Sequence, residues 1–132
     1  MWCDSASAVV SNCTLTASSA VNGGGAYAGT LYNCTLTGNA AYAGAGAAYC
    51  TLNNCTLDNN SANLGGGVQA GTLNNCTLTG NSANFGGGAA FSTLYNCALT
   101  GNSARDGGGG THAATANNCI VYHNTSTQSG PN

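Results

Sequence analysis

The sequence predicts an all-β solenoid, a parallel β-helix of about six triangular coils of 21 residues, with three short strands per coil and no obvious caps. Three observations carry this prediction. First, Cys13, Cys34, Cys55, Cys76 and Cys97 recur at intervals of 21 residues, and Cys119 follows at 22. A unit of this length cannot bury its own apolar face and gains a core only by stacking on its neighbours. Second, glycine runs return at one phase of the period: Gly23-Gly24-Gly25, Gly65-Gly66-Gly67, Gly86-Gly87-Gly88 and Gly107-Gly108-Gly109-Gly110. Third, alternation in Cys34-Thr35-Leu36-Thr37 and its equivalents places Cys and Leu on one strand face and Thr on the other. Residues 1–132 read as a single β-helix domain, with partial coils at 1–12 and 119–132.

Taken in order, the chain starts inside a unit, since Val9-Val10-Ser11-Asn12 matches Thr30-Leu31-Tyr32-Asn33. Each full unit then offers three strands, seen in the fifth as Gly88-Ala89-Ala90-Phe91, Thr93-Leu94-Tyr95 and Cys97-Ala98-Leu99-Thr100. Corners are expected at Asn96, at Gly101-Asn102 and around the glycine run, because Asn and Gly tolerate left-handed backbone angles. Three glycines per unit among so many Thr and Asn residues argue against helix. Stacked at about 4.8 Å per strand, six coils make a rod roughly 30 Å long. Like residues then lie over like. One apolar column runs through Leu15, Leu36, Leu57, Leu78, Leu99 and Val121, and a second through Val10, Leu31, Leu52, Leu73, Leu94 and Ala116. Asn12, Asn33, Asn54, Asn75, Asn96 and Asn118 form an asparagine ladder at one corner, where side-chain amides would bond coil to coil. The last unit is Cys119-Ile120-Val121-Tyr122-His123-Asn124, followed by a polar tail.

Composition excludes several functions. The charged residues are Asp4, Asp58, Arg105 and Asp106. A nucleic-acid partner is excluded, since one arginine cannot neutralise a phosphate backbone. No run of about 20 apolar residues is present to form a transmembrane segment. Glycoside cleavage needs two carboxyl groups facing one cleft, and the three Asp lie in coils too far apart to converge. The sequence is therefore read as that of a non-enzyme, with no catalytic residues, cofactor or metal. His112 aligns with Phe91 of the preceding unit and His123 with Gly101, at different corners.

The eight cysteines fall into two groups. Cys13, Cys34, Cys55, Cys76, Cys97 and Cys119 form a structural column, read first as buried thiols acting as small hydrophobes. Disulfides between neighbouring coils and a soft-metal site are the competing readings of that column. Cys3 and Cys50 lie off it and are read as exposed thiols able to cross-link chains. The outward residues Thr14, Thr16, Thr35, Thr37, Thr77 and Thr79 make a threonine grid, interrupted by Asp58, Ala98 and Tyr122. It is a candidate surface for glycan or ice. Asn12-Cys13-Thr14 and its equivalents at Asn33, Asn54 and Asn75 match the N-glycosylation sequon; an internal ladder would hide them.

Leu31-Tyr32-Asn33-Cys34-Thr35-Leu36-Thr37-Gly38-Asn39 and Asn81-Ser82-Ala83-Asn84-Phe85-Gly86-Gly87-Gly88-Ala89 resemble the repeats of right-handed parallel β-helix proteins of the pectate-lyase-like superfamily. Within it they are most similar to the chlamydial polymorphic outer membrane protein repeat, through its Gly-Gly-Ala signature. The resemblance spans residues 9–124 and implies a right-handed coil in an extracellular or cell-surface protein.

The ends set the expected function. Neither terminus shows a capping helix or a charged edge, and solenoids that stay monomeric need caps. The terminal pieces, residues 119–132 and 1–12, together make about one coil. Head-to-tail contacts of this kind do not close. The expectation is a structural subunit that stacks end to end with copies of itself into an extracellular filament or surface fibre. The alternatives are an excerpt of a surface adhesin or autotransported stalk, and a glycan- or ice-binding module.

Overall fold

The computed structural model describes residues 7–128. It is a right-handed parallel β-solenoid of about six turns. Every strand pair is parallel and joins a residue to its equivalent one coil away, as in Leu36↔Leu57 and Leu57↔Leu78.

Three sheets run along the rod. The first has nine strands and includes Ala26–Tyr32, Ala47–Asn53, Val68–Gln69, Thr72–Asn74, Ala89–Ala90 and Thr93–Tyr95. The second stacks Thr14–Thr16, Thr35–Thr37, Thr56–Asp58, Thr77–Thr79, Ala98–Thr100 and Ile120–Tyr122. The third joins Ser82–Ala83, Ser103–Ala104 and Thr125–Ser126, and isolated bridges through Ser61 and Leu64 link it to the pair Ser19–Asn22 and Ala40–Ala43.

The strand assignment from sequence needs one correction. Ala89–Ala90 and Thr93–Tyr95 belong to the same sheet, because Ala26–Tyr32 and Ala47–Asn53 run unbroken through the equivalent stretch. The third side is Ser103–Ala104 and its equivalents, just past the expected corner at Gly101-Asn102, where the sequence reading offers no strand. The coils from Asn12 to Phe91 therefore have four left-handed bends each, not three. In the fourth full coil they are Asn75, Gly80, Gly86 and Phe91, with φ of 53°, 63°, 65° and 52°. The bend at Phe91 creases the first sheet without ending it.

Both apolar columns are where the alternation placed them. Leu31, Leu36, Leu52, Leu57, Leu73, Leu78, Leu94 and Leu99 are all fully buried. Each contributes about 2 kcal/mol of transfer free energy. The glycine run lets the coil close tightly. Gly65 is left-handed at φ 59°, and a Cβ on Gly67 would lie 2.6 Å from the carbonyl oxygen of Gly88 in the next coil. Neither position has room for a side chain.

Candidate functional site

The features that can act are the columns themselves, so the site is built column by column. The most heavily bonded one was not singled out from the sequence. Asn39, Asn60, Asn81, Asn102 and Asn124 follow the second corner and point inward; Asn60, Asn81 and Asn102 are fully buried. From Asn60 to Asn124 each Oδ1 accepts twice from the preceding coil, and Asn39 Oδ1 accepts the Ser18 N–H at 3.1 Å. The backbone N–H of Asn60 donates to Asn81 Oδ1 at 3.0 Å and its Nδ2 donates to the same oxygen at 2.9 Å. The other Nδ2 hydrogen of Asn60 reaches back to the Leu36 carbonyl at 2.9 Å. The pattern repeats from Asn39 to Asn124. Each amide thus ties three coils and satisfies backbone groups that the bend would leave unpaired.

The expected ladder through Asn12, Asn33, Asn54, Asn75, Asn96 and Asn118 does stack, but on the outside. All six are exposed and left-handed, with φ between 51° and 54°. Asn33 Nδ2 donates a hydrogen bond to Asn12 Oδ1 at 3.4 Å, and Asn118 Nδ2 to Asn96 Oδ1 at 2.6 Å. Asn stands there because it tolerates the backbone angle. The four sequon asparagines are therefore exposed, and concealment does not exclude them.

The thiol column is continuous. Cys34, Cys55, Cys76 and Cys97 are buried, Cys119 is half-buried and Cys13 is exposed, all as free thiols. From Cys55 to Cys119 each Sγ accepts the backbone N–H of the preceding cysteine, as Cys55 N–H to Cys76 Sγ at 3.4 Å. The sulfur also faces two carbonyls; Cys76 Sγ lies 3.3 Å from Asn74 O and 3.5 Å from Leu52 O. A protonated thiol can donate to such oxygens, which fits its role as a small packed group. Hydrogen bonds to Cys55 and Cys97, with burial, push the Cys76 thiol far up. Its hydrogen bond to each flanking thiol draws Cys55 and Cys97 down to about 7. Burial raises Cys34 and Cys119.

Cys50 corrects the sequence reading. It is buried, and its Sγ donates to the Ala48 carbonyl at 3.3 Å. It occupies an inward column with Gly29, Gly71 and Ser92, so it is not an exposed cross-linking thiol. Cys3 lies outside the described residues.

The threonine grid is in register on the second sheet. Thr14, Thr35, Thr56 and Thr77 form one outward column, and Thr16, Thr37, Asp58, Thr79 and Thr100 the other. A third threonine column, Thr30, Thr51, Thr72, Thr93 and Thr115, runs along the first sheet and was not singled out from sequence. Asp58 is held by Asn59 Nδ2 at 2.8 Å, and Arg105 Nε lies 3.7 Å from Asp106 Oδ1. His112 sits opposite Ala90, one place from its expected partner Phe91, and stacks near both Phe85 and Phe91. Among the described residues no three His, Cys, Asp or Glu side chains converge as a metal site would need. Among them, too, no helix is long and apolar enough to cross a membrane.

At both ends of the described stack the columns come to the surface. Val10 and Leu15 at one end, and Cys119 and Val121 at the other, are only partly buried, whereas their equivalents between are closed. No family model matches this chain, and neither does any curated protein.

Proposed function

We propose that the protein is a non-enzymatic structural rod of the cell surface that adds coil upon coil to a second copy of itself. The observation that carries this reading is the exposure of in-register columns at both ends of the described stack. A matching coil laid on either face would cover Leu15 or Val121, extend the thiol column and supply the next step of the buried asparagine ladder. The partner that fits best is one with the same 21-residue register, and another copy of this chain has it. The Gly-Gly-Ala resemblance to outer-membrane β-helix repeats supports the surface location. The same open faces would equally take further coils of a longer stalk of that repeat type.

The test is sedimentation and negative-stain electron microscopy over a range of protein concentration. Rods that lengthen in multiples of about 30 Å are expected. Particles that stay one rod long at every concentration, with the amides of residues 9–16 and 120–126 as protected as those of the interior, would sink the reading.

A further inference from the structure

One column differs from all the others. Ala28, Tyr49, Ala70, Phe91 and Ala113 stack along the crease of the first sheet, and their φ values are 49°, 57°, 51°, 52° and 48°. Bulky side chains seldom adopt this backbone region. The remaining left-handed bends are mostly Asn or Gly. Here small and aromatic residues alternate coil by coil. Core packing does not call for the rings, since Tyr49 is 54% and Phe91 51% exposed. The crease is left-handed at its alanines too, so the backbone does not require a ring there, and an exposed ring placed on it points to a use for that ring.

The surroundings hold the rings in place. Tyr49 meets Tyr27 edge-on, with centroids 5.6 Å apart, and Phe91 meets His112 in the same way at 5.7 Å. Phe85 flanks His112 at 5.2 Å. A ligand stacking on Tyr49 or Phe91 would thus find rings already partly ordered, which lowers the entropy lost on binding. Between them, in the adjoining column, Gln69 has a buried Oε1 with no hydrogen-bond partner. An unpartnered acceptor of this kind calls for an explanation.

The ligand class follows from charge and spacing. Among the described residues the charged side chains are Asp58, Arg105 and Asp106, and the last two pair with each other. Such a surface selects neither anion nor cation. Tyr49 and Phe91 are two coils apart, about 10 Å. In an extended β-1,4-linked glycan every second sugar turns the same apolar C–H face outward, at a similar repeat. We infer that the Tyr49–Phe91 column binds one strand of a neutral β-1,4-linked polysaccharide along the rod axis. The rings stack under alternate sugars, and Ala70 leaves room for the sugar between. Binding here does not depend on end-to-end association.

The test uses soluble hexasaccharides of β-1,4-linked glucose, N-acetylglucosamine and mannose, titrated calorimetrically into the whole chain. Tyr49→Ala, Phe91→Ala and the double variant are compared with it. Alanine already occupies this column at Ala28, Ala70 and Ala113, so the variants should fold, and circular dichroism checks that they do. At least one hexasaccharide should bind, each substitution should weaken it about tenfold, and the double variant should lose it. Binding to none of the three would overturn the inference. So would an unchanged affinity in the double variant, or equally tight binding of a galacturonate hexamer.

Discussion

Asparagine is used in two columns that solve different problems. The outer column, with Asn54 and Asn75, is exposed and left-handed, and the backbone angle rather than a buried hydrogen bond calls for asparagine there. The inner column, with Asn60 and Asn81, is sealed from water and has its amide hydrogens and oxygen in bonds to neighbouring coils. In one place the backbone chose the residue, and in the other the side chain did. A repeat that writes the same letter twice per period can therefore hide two unrelated constraints.

Substitution separates them. Asn81→Ala strips an acceptor from Asn60 and a donor from the Leu57 carbonyl, all buried. Stranded groups of this kind cost about 1–3 kcal/mol each, so a loss of about 4 kcal/mol is expected in urea unfolding. Asn75→Ala should cost only about 1 kcal/mol, the penalty of a left-handed alanine, and Asn75→Gly close to nothing. Equal losses at Asn75 and Asn81 would erase the distinction. The smallest effect concerns the ends of the thiol column against its middle. With iodoacetamide under native conditions, mass spectrometry should find label on exposed Cys13 and, more slowly, on Cys119, with Cys34, Cys55, Cys76 and Cys97 protected. Burial holds the Cys119 thiol above its ordinary value of 9.0. Its thiolate fraction, and so its labelling rate, should still be rising as pH passes that value.

The solenoid was legible because period and alternation are properties of the chain alone. Both leucine columns, the cysteine column and the outer asparagines follow directly from the 21-residue register. The inner ladder was present in the same register, at Asn39, Asn60, Asn81, Asn102 and Asn124. It was read as corner because a polar residue beside a bend is assigned to solvent by default, and nothing in the spacing says on which side of the bend a side chain falls. Cys50 was misplaced for a related reason. It looks isolated as a cysteine, but its column is defined by size, with Gly29 and Gly71 in the same inward place. The crease at Tyr49 and Phe91 was invisible, since an aromatic residue carries no signal for left-handed backbone.

The inner ladder has one more consequence. Each Asn Oδ1 accepts from the coil before it, and from Asn39 to Asn102 each Nδ2 sends one hydrogen to the coil after. The side-chain amide dipoles therefore all point one way along the axis, and hydrogen-bonded chains of this kind polarise one another. In a chain with only four charged side chains, this alignment gives the ladder itself a dipole along the rod axis and makes its two ends electrically unlike.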